Sequence, residues 1–282
     1  MPEYRFMVVL GVDIGATKIA TGRVNENAGV TGARTTPTKA AEGYAISLAQ
    51  VWRAIEETLT PEVEAIGICA PGPLNPKTGI VLNPPNLPGW RDVPLARLAR
   101  EKFGLRTELE NDGNAAALAE ACYGAARGCA SVFYAAIGTG IGSGIILDGR
   151  IYHGKNGAAA EGGHVTIDYR SSVICGCGTP GCIEALASGY ALERMGAYDP
   201  DEIATRLGAW LGGIVSLLDP DIIVLGGGVT QIGEPLFERL RAIVPLRTIN
   251  PYANRIPIMP AQFGAEAGVV GAAAVVLSGA SR

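Results

Sequence analysis

The chain has 282 residues, 48% of them hydrophobic, and a formal net charge of −4. That length supports two lobes or one large α/β domain around a sizeable core. The mild acidity, without a basic stripe, excludes the electrostatic footprint of a nucleic-acid binder. The longest apolar run, AGVVGAAAVVL at 267–277, is too short to cross a bilayer.

The N-terminal stretch MPEYRFMVVL is too short and too polar for a secretory signal. A soluble cytoplasmic protein with reduced thiols is expected. In chain order, RFMVVLGVD reads as a buried strand, IGATK as a glycine turn, IATGRVN as a second strand, NENAG as a hairpin turn and VTGARTTPT as a third strand. Apolar residues at helical spacing (Tyr44, Leu48, Val51, Ile55, Leu59) predict a helix over about 43–58, with Pro61 beyond its end. VEAIGICA is another buried strand, and residues 71–90, rich in Pro, Gly and Asn, form an ordered loop system. VPLARLAREKFG is a short helix, RTELE a strand and GNAAALAEACYGAARG a helix.

The opening pattern then returns: SVFYAAIG strand, TGIGS turn, GIILDG strand, and RIYHG beginning another. One architectural unit is thus used once in each of two lobes. The tail holds a helix (200–218), the strand DIIVLGGG, a helix (233–243), a short strand near 256–259 and an apolar helix (265–277). No low-complexity linker divides the halves, so two lobes with a cleft between them are expected.

Several motifs carry chemistry. In GVDIGATK, the glycine turn exposes backbone N–H groups able to cradle phosphate. It is not the G-x-x-x-x-G-K-[ST] loop, which leads into a helix. Asp13 leaves the end of a buried strand, where a carboxylate can face Mg²⁺, and Thr17 and Lys18 can reach phosphate oxygens. A plain β-hairpin with a surface lysine is the alternative. IGTGIGSG (137–144) has the same two readings, and its matching place in the second half lets the two hairpins grip one nucleotide. VLGGGV (224–229) admits an adenosine close to the backbone, or is only a tight strand–helix turn. In LENDGNAAA, Asp112 is either a helix N-cap or a general base for a substrate hydroxyl, in a reaction where positioning and charge neutralisation do most of the work.

CGCGTPGCIE places Cys175, Cys177 and Cys182 on one glycine-rich loop, with His164 upstream in AEGGH. Reduced thiols in this spacing favour a four-ligand structural zinc site; the alternative is a reduced cysteine loop beside a hydrogen-bonding histidine. Glu161 and Glu184 flank that loop without being needed as ligands. They suit hydrogen bonding to a polyhydroxy ligand, unless they are solvated surface acids. Cys69, Cys122 and Cys129 read as buried inert thiols.

Taken together, AEGGH, CGCGTPGCIE, LENDGNAAA and NPPNLPGW, between GVDIGATK near the start and AEAGVVGAA near the end, resemble the ROK family (repressor, open reading frame, kinase), which includes bacterial glucokinases. The resemblance implies an α/β, two-lobed actin/Hsp70/hexokinase-like (ribonuclease H-like) fold with an ATP/sugar cleft. It implies a small lobe of 1–112 joined by the C-terminal helix 264–282, and a large lobe of 113–263 carrying the zinc loop. Carried over residue by residue, Asp112 is the catalytic base. Asn111, Glu161, His164 and Glu184, with Asn86 in NPPNLPGW, bind sugar hydroxyls. His164, Cys175, Cys177 and Cys182 hold zinc. Asp13, Gly15, Thr17, Lys18, Gly138, Thr139 and Gly140 surround the phosphates and Mg²⁺, and Gly227 and Gly228 lie near the adenosine. The implied reaction is transfer of the ATP γ-phosphate to the 6-hydroxyl of a hexose, glucose first. Fructose, N-acetylmannosamine or allose as substrate, polyphosphate as donor, and a non-catalytic sugar-binding regulator are the alternatives. A homodimer or homotetramer is implied. Two departures stand out. About five residues precede the first strand, where the family's repressors carry a winged helix. The stretch from CIEALASG to DPDIIVLGGG is shorter than usual for the family, on the adenine side of the cleft.

Overall fold

The strand–turn–strand pattern that occurs twice in the sequence builds two five-stranded sheets of matching order. The computed structural model describes residues 7–196 and 199–279. Arg5 and Phe6 of the first predicted strand, residues 280–282 of the C-terminal segment, and Ala197 and Tyr198 of the shortened stretch lie outside the described residues. In the first sheet, β1 (Val8–Ile14) pairs antiparallel with β2 (Lys18–Val24), and β2 pairs antiparallel with β3 (Val30–Pro37). After α1 (Tyr44–Thr58), β4 (Val63–Ala70) lies parallel to β1. The proline-rich loop system contains a two-stranded ribbon, β5 (Leu74–Asn75) and β6 (Ile80–Val81), which periodicity does not reveal. α2 (Leu95–Phe103) then leads to β7 (Arg106–Asn111), parallel to β4.

α3 (Asp112–Tyr123) carries the chain to the second sheet, where β8 (Val132–Ile137), β9 (Ile141–Leu147) and β10 (Arg150–Ile151) form an antiparallel meander. α4 (Ile183–Ala187), α5 (Gly189–Met195) and α6 (Pro200–Leu218) precede β11 (Ile222–Gly226), which is parallel to β8. α7 (Glu234–Ile243) leads to β12 (Ile258–Pro260), and α8 (Ala267–Leu277) closes the fold. The final helix starts two residues later than expected because Gly264–Glu266 forms a separate 3-10 turn. α6 begins where its sequence says: Pro200 occupies the first turn, and Asp199 Oδ1 accepts the Asp201 N–H at 2.9 Å.

Each sheet has its own core. Leu10, Val12, Ile66 and Ile68 pack with Ile55, Trp90 and Leu95 in the first. Phe133, Ile223 and Leu225 pack with Trp210, Leu211 and Phe237 in the second. β1 and β4 read as continuous apolar runs because both of their faces are covered, as in parallel sheets generally. α8 is the cover on one face. Its Val269, Ala273 and Val276 join Val9, Val24 and Ala65, while its Ala267, Ala274 and Val275 join α3 and the second sheet.

That sandwich is held at backbone distance by glycine. A Cβ on Gly11 would lie 2.1 Å from the Val269 carbonyl oxygen, one on Gly67 1.8 Å from that of Ala272, and one on Gly271 2.2 Å from that of Ala115. The obstructing atoms are main chain, so they cannot rotate away. Gly67→Ala is therefore expected to destabilise the fold by about 1–3 kcal/mol through overpacking. Gly213→Ala, at an exposed helical position with nothing within 4 Å of the added Cβ, is expected to stabilise by about 0.5–1 kcal/mol. Thermal unfolding midpoints of the two variants, moving in opposite directions, check this.

Candidate active site

β7 ends at Asn111 and α3 begins at Asp112. Asn111 is extended (φ −70°, ψ 145°), and its Oδ1 accepts the Asn114 N–H at 3.2 Å, so Asn111 is the helix N-cap. Asp112 is not the cap, and the alternative explanation for it falls away. Its Oδ1 accepts the adjacent Gly113 N–H at 2.8 Å, and the residue is exposed to solvent. A Cβ on Gly113 would lie 2.3 Å from the Ser143 carbonyl oxygen, so glycine lets the start of α3 press onto β9. Protein packed on several sides of the Asp112 carboxyl partly desolvates it and raises its pKa from 3.8 to about 6. The Gly113 N–H opposes that rise, and the charges of Asp13 and Glu161 add to it.

Glu161 reaches this place from the loop after β10. Ser143 Oγ brackets it, donating to the Ala160 carbonyl at 2.5 Å and accepting the Gly162 N–H at 2.9 Å. Asn111 Nδ2 and Glu161 Oε1 converge above Gly72, each 3.5 Å from where a Cβ there would stand. Asn111, Asp112 and Glu161 thus form one polar group. Asn86 is exposed in the turn before buried Leu87, and the described hydrogen bonds do not tie it to them.

His164, Cys175, Cys177 and Cys182 present one ligand atom each, all within 4.8 Å of one another. Cys177 Sγ lies 3.7 Å from Cys182 Sγ, and Cys175 Sγ lies 3.6 Å from His164 Nδ1. Zinc–sulfur bonds of about 2.3 Å in a tetrahedron give edges of about 3.8 Å, so the cluster has the size of a structural zinc site. The loop is pre-formed: Cys175 N–H donates to Thr179 O at 3.0 Å, and Gly181, at φ 73°, packs where a Cβ would be 1.9 Å from Asp168 O. With Nδ1 turned to the cysteines, His164 keeps Nε2 for another partner.

Glu184, at the start of α4, is no solvated surface acid. Its Oε2 accepts the Ile141 N–H at 2.8 Å, and its Oε1 lies 3.5 Å from Cys175 Sγ and 3.9 Å from His164 Nδ1. It ties the cysteine loop to the β8–β9 glycine turn. Gly140 faces this carboxylate: a Cβ on it would meet Glu184 Oε2 at 2.6 Å.

On the other side of that turn lies a cleft of about 710 Å³, lined by Gly138, Thr139, Gly189, Tyr190, Glu193 and Gly228 among others. α5 is fastened to the turn, with the Gly189 N–H donating to Gly138 O at 2.7 Å and the Tyr190 N–H to Thr139 O at 3.3 Å. Gly227 does not line the cleft but supports it. It has φ 88°, and its Cβ would lie 2.5 Å from the Ile137 main chain, so only glycine lets β11 turn this close to β8. Asp13 accepts from Cys69 Sγ at 3.4 Å. Burial raises the Asp13 pKa, against the Cys69 hydrogen bond and the Lys18 charge. Gly15, Thr17 and Lys18 form the β1–β2 turn, in which Gly15 N–H donates to Lys18 O at 2.9 Å and Thr38 Oγ1 donates to Gly15 O at 2.7 Å. The described contacts do not bring Thr17 or Lys18 to Gly138 and Thr139. Cys69 is buried as expected, with its thiol pKa pushed well up by burial; Cys122 and Cys129 are only half-buried.

Periodicity and motif reading passed over Ser143, Tyr190 and Glu193, whose roles arise from tertiary neighbours. They also passed over Glu110, whose signal was a carboxylate in an otherwise buried strand end beside Asn111 and Asp112.

The ROK family profile matches residues 9–205 and 197–278. The chain is 32% identical to the glucokinase of Streptomyces coelicolor, over 94% of this chain and 96% of that protein. The ROK hexokinase structure from Thermus thermophilus superposes with a TM-score of 0.81 at 36% identity, covering 95% of this chain and 97% of that one. A ROK family glucokinase from Streptomyces griseus, solved with glucose and AMPPNP, gives 0.80 at 34% identity, covering 95% and 98%. The chain belongs to the ROK family, with its two-domain actin/hexokinase-like fold. Within that family it is a sugar kinase. Among the described residues no helix is long and apolar enough to cross a membrane.

The raised pKa of Asp112 carries a stability consequence. A carboxyl that holds its proton more tightly when folded favours the folded state at low pH, and that contribution is lost as pH rises through about 6. Asp112→Asn is therefore expected to raise the unfolding midpoint at pH 8 and to leave it unchanged at pH values below about 3.8, where the carboxyl is neutral in both states. Melting curves across pH 3.5–8, for wild type and variant, check it.

Proposed function

We propose that this kinase transfers the ATP γ-phosphate to the 6-hydroxyl of a hexose, glucose first. The observation that carries this reading is the convergence of Asn111, Asp112 and Glu161 in a molecule that also holds a cysteine–histidine knot and a glycine-lined cleft, both tied to the β8–β9 turn. In this reading Asp112 is the general base. It takes the 6-hydroxyl proton as that oxygen attacks the γ-phosphorus in line with the leaving ADP oxygen. Its raised pKa suits the role: it is ionised at neutral pH, yet basic enough to accept a proton. Asn111 Nδ2, Glu161, His164 Nε2 and Glu184 orient the sugar hydroxyls, with Asn86 contributing from its turn. The cleft beside Gly138, Thr139 and Gly228 takes the nucleotide, with Tyr190 and Glu193 of α5 at its adenosine end. Gly140 and Gly227 shape the turns, and the turn at Gly15, Thr17 and Lys18 meets the phosphates. The analogue-bound S. griseus enzyme supports ATP as donor.

The charge of Asp13 adds to the rise in the Asp112 pKa, and two neighbouring carboxylates are an oxygen-donor setting that fits Mg²⁺. Mg²⁺ supplies charge neutralisation on the phosphates when bound. The Cys₃His set fits zinc, whose part is to stiffen the loop that presents His164 and Glu184. We place lobe closure between residues 1–112 with 264–282 and residues 113–263; closure excludes the water that competes as acceptor.

Asp112→Asn is expected to lower kcat by about 10²–10⁴-fold while hexose affinity, read by calorimetry, stays within about threefold. For wild type, kcat/KM should climb as pH rises through about 6 and level off above it. A near-wild-type rate in the variant removes Asp112 from the chemistry. ADP formation across a hexose panel, with ATP and polyphosphate as donors, decides substrate and donor; glucose is expected to give the highest kcat/KM.

Elemental analysis should find one zinc per chain in the purified protein and none in Cys177→Ala. That variant should raise the hexose KM by about 10–100-fold, the scale seen when a metal site's supporting residues are lost. Metal-free wild type with normal KM would overturn the zinc role.

A further inference from the structure

Glu110, the residue before Asn111 in β7, is fully buried. Its Oε1 accepts the Asn111 N–H at 2.9 Å and Asn114 Nδ2 at 3.1 Å. Its Oε2 lies 2.7 Å from His153 Nε2. A carboxylate can only accept, so the imidazole nitrogen is the donor. Among the described residues no lysine or arginine pairs with Glu110; its partner is the half-buried His153. Burying a carboxylate is costly unless it is well bonded, and a strand end needs no carboxylate to hold its place.

What this carboxylate does is join three segments. Oε1 fixes the main chain of Asn111 and the first turn of α3, on either side of Asp112. Oε2 fixes His153, at the head of the loop that delivers Glu161. That loop is closed on itself by the Ala159 N–H donating to His153 O at 3.1 Å, and its end is bracketed by Ser143. The two carboxylates that meet the sugar in the proposed mechanism, Asp112 and Glu161, are thus tied through one Glu–His pair.

We propose that Glu110 and His153 are positioning residues that set Asp112 and Glu161 relative to each other, and that His153 acts on turnover through Asp112. The inference rests on the reading of Asp112 as the base. A displacement of a reacting group by about an ångström costs on the order of 10²-fold in rate, which sets the scale expected.

The test is steady-state kinetics with glucose and ATP on the intact enzyme, with unfolding midpoints recorded for every variant. His153→Ala is expected to lower kcat about 10–100-fold while the KM for ATP stays within about threefold. His153→Gln, whose amide can donate to Glu110 Oε2, is expected to recover kcat to within about threefold of wild type. In the Asp112→Asn background, adding His153→Ala should cost less than about threefold more, because the group it positions is already gone. A folded His153→Ala with wild-type kcat overturns the proposal. So does a full multiplicative loss in the double variant, or a folded His153→Gln as slow as His153→Ala. Should His153→Ala not fold, Glu110→Gln takes its place. It keeps an acceptor for the Asn111 N–H and loses the carboxylate facing His153, and the same non-multiplying loss is expected, with a wild-type kcat overturning the pair. Failure of the base assignment is seen separately, in an Asp112→Asn enzyme at wild-type rate. That result removes the route through Asp112 as well.

Discussion

Backbone-on-backbone packing along α8 is the constraint on which the rest depends. Gly11 and Gly67 admit this helix against the first sheet, and Gly271 admits α3 against it from the other side. Because α3 also presses onto β9 through Gly113, the two sheets are joined by main chain rather than by adaptable side chains. Interiors packed at this density transmit displacement rather than absorb it. The start of α3, where Asp112 sits, is therefore placed by contacts with both halves of the molecule. A side chain in that position stays in register with elements packed on either sheet.

The second theme is the management of negative charge. Asp13, Glu110, Asp112 and Glu161 lie near one another, and Glu184 sits at the β8–β9 turn, in a chain of net charge −4. Each is handled differently. Glu110 is consumed by two main-chain and side-chain amides and an imidazole. Glu184 is consumed by a main-chain N–H and the cysteine loop. Glu161 stays open to solvent. Asp13 and Asp112, left with few donors and crowded by protein, have their pKa values raised. Glu110 and Glu184 are bonded to neighbouring segments, whereas Asp112 and Glu161 face solvent.

Glu184 shows how the two sides of the cleft communicate. One oxygen holds the turn at Ile141, next to Gly140, and the other faces the cysteine loop. α5 is bonded to the same turn through Gly189 and Tyr190. The glycine turn at 138–141 is thus bonded both to Glu184, beside the cysteine loop, and to α5. After CIEALASG, α5 supplies Tyr190 and Glu193 to the lining of the cleft.

The sequence by itself determined the two repeated sheet units, the helices between them, the Cys–His cluster and the candidacy of Asp112. These signals are local. Apolar periodicity follows from which face is buried, glycine marks turns, and ligand spacing is a property of one loop. Only the tertiary structure decided that Asn111 is the cap and Asp112 is not, and that Glu184 bonds the turn at Ile141. It also decided that Glu110 pairs with a histidine 43 residues away. The reason is physical: a carboxylate's role depends on which donors surround it, and those donors come from segments distant in the chain, brought together only once the glycine-mediated packing of α3 and α8 is complete.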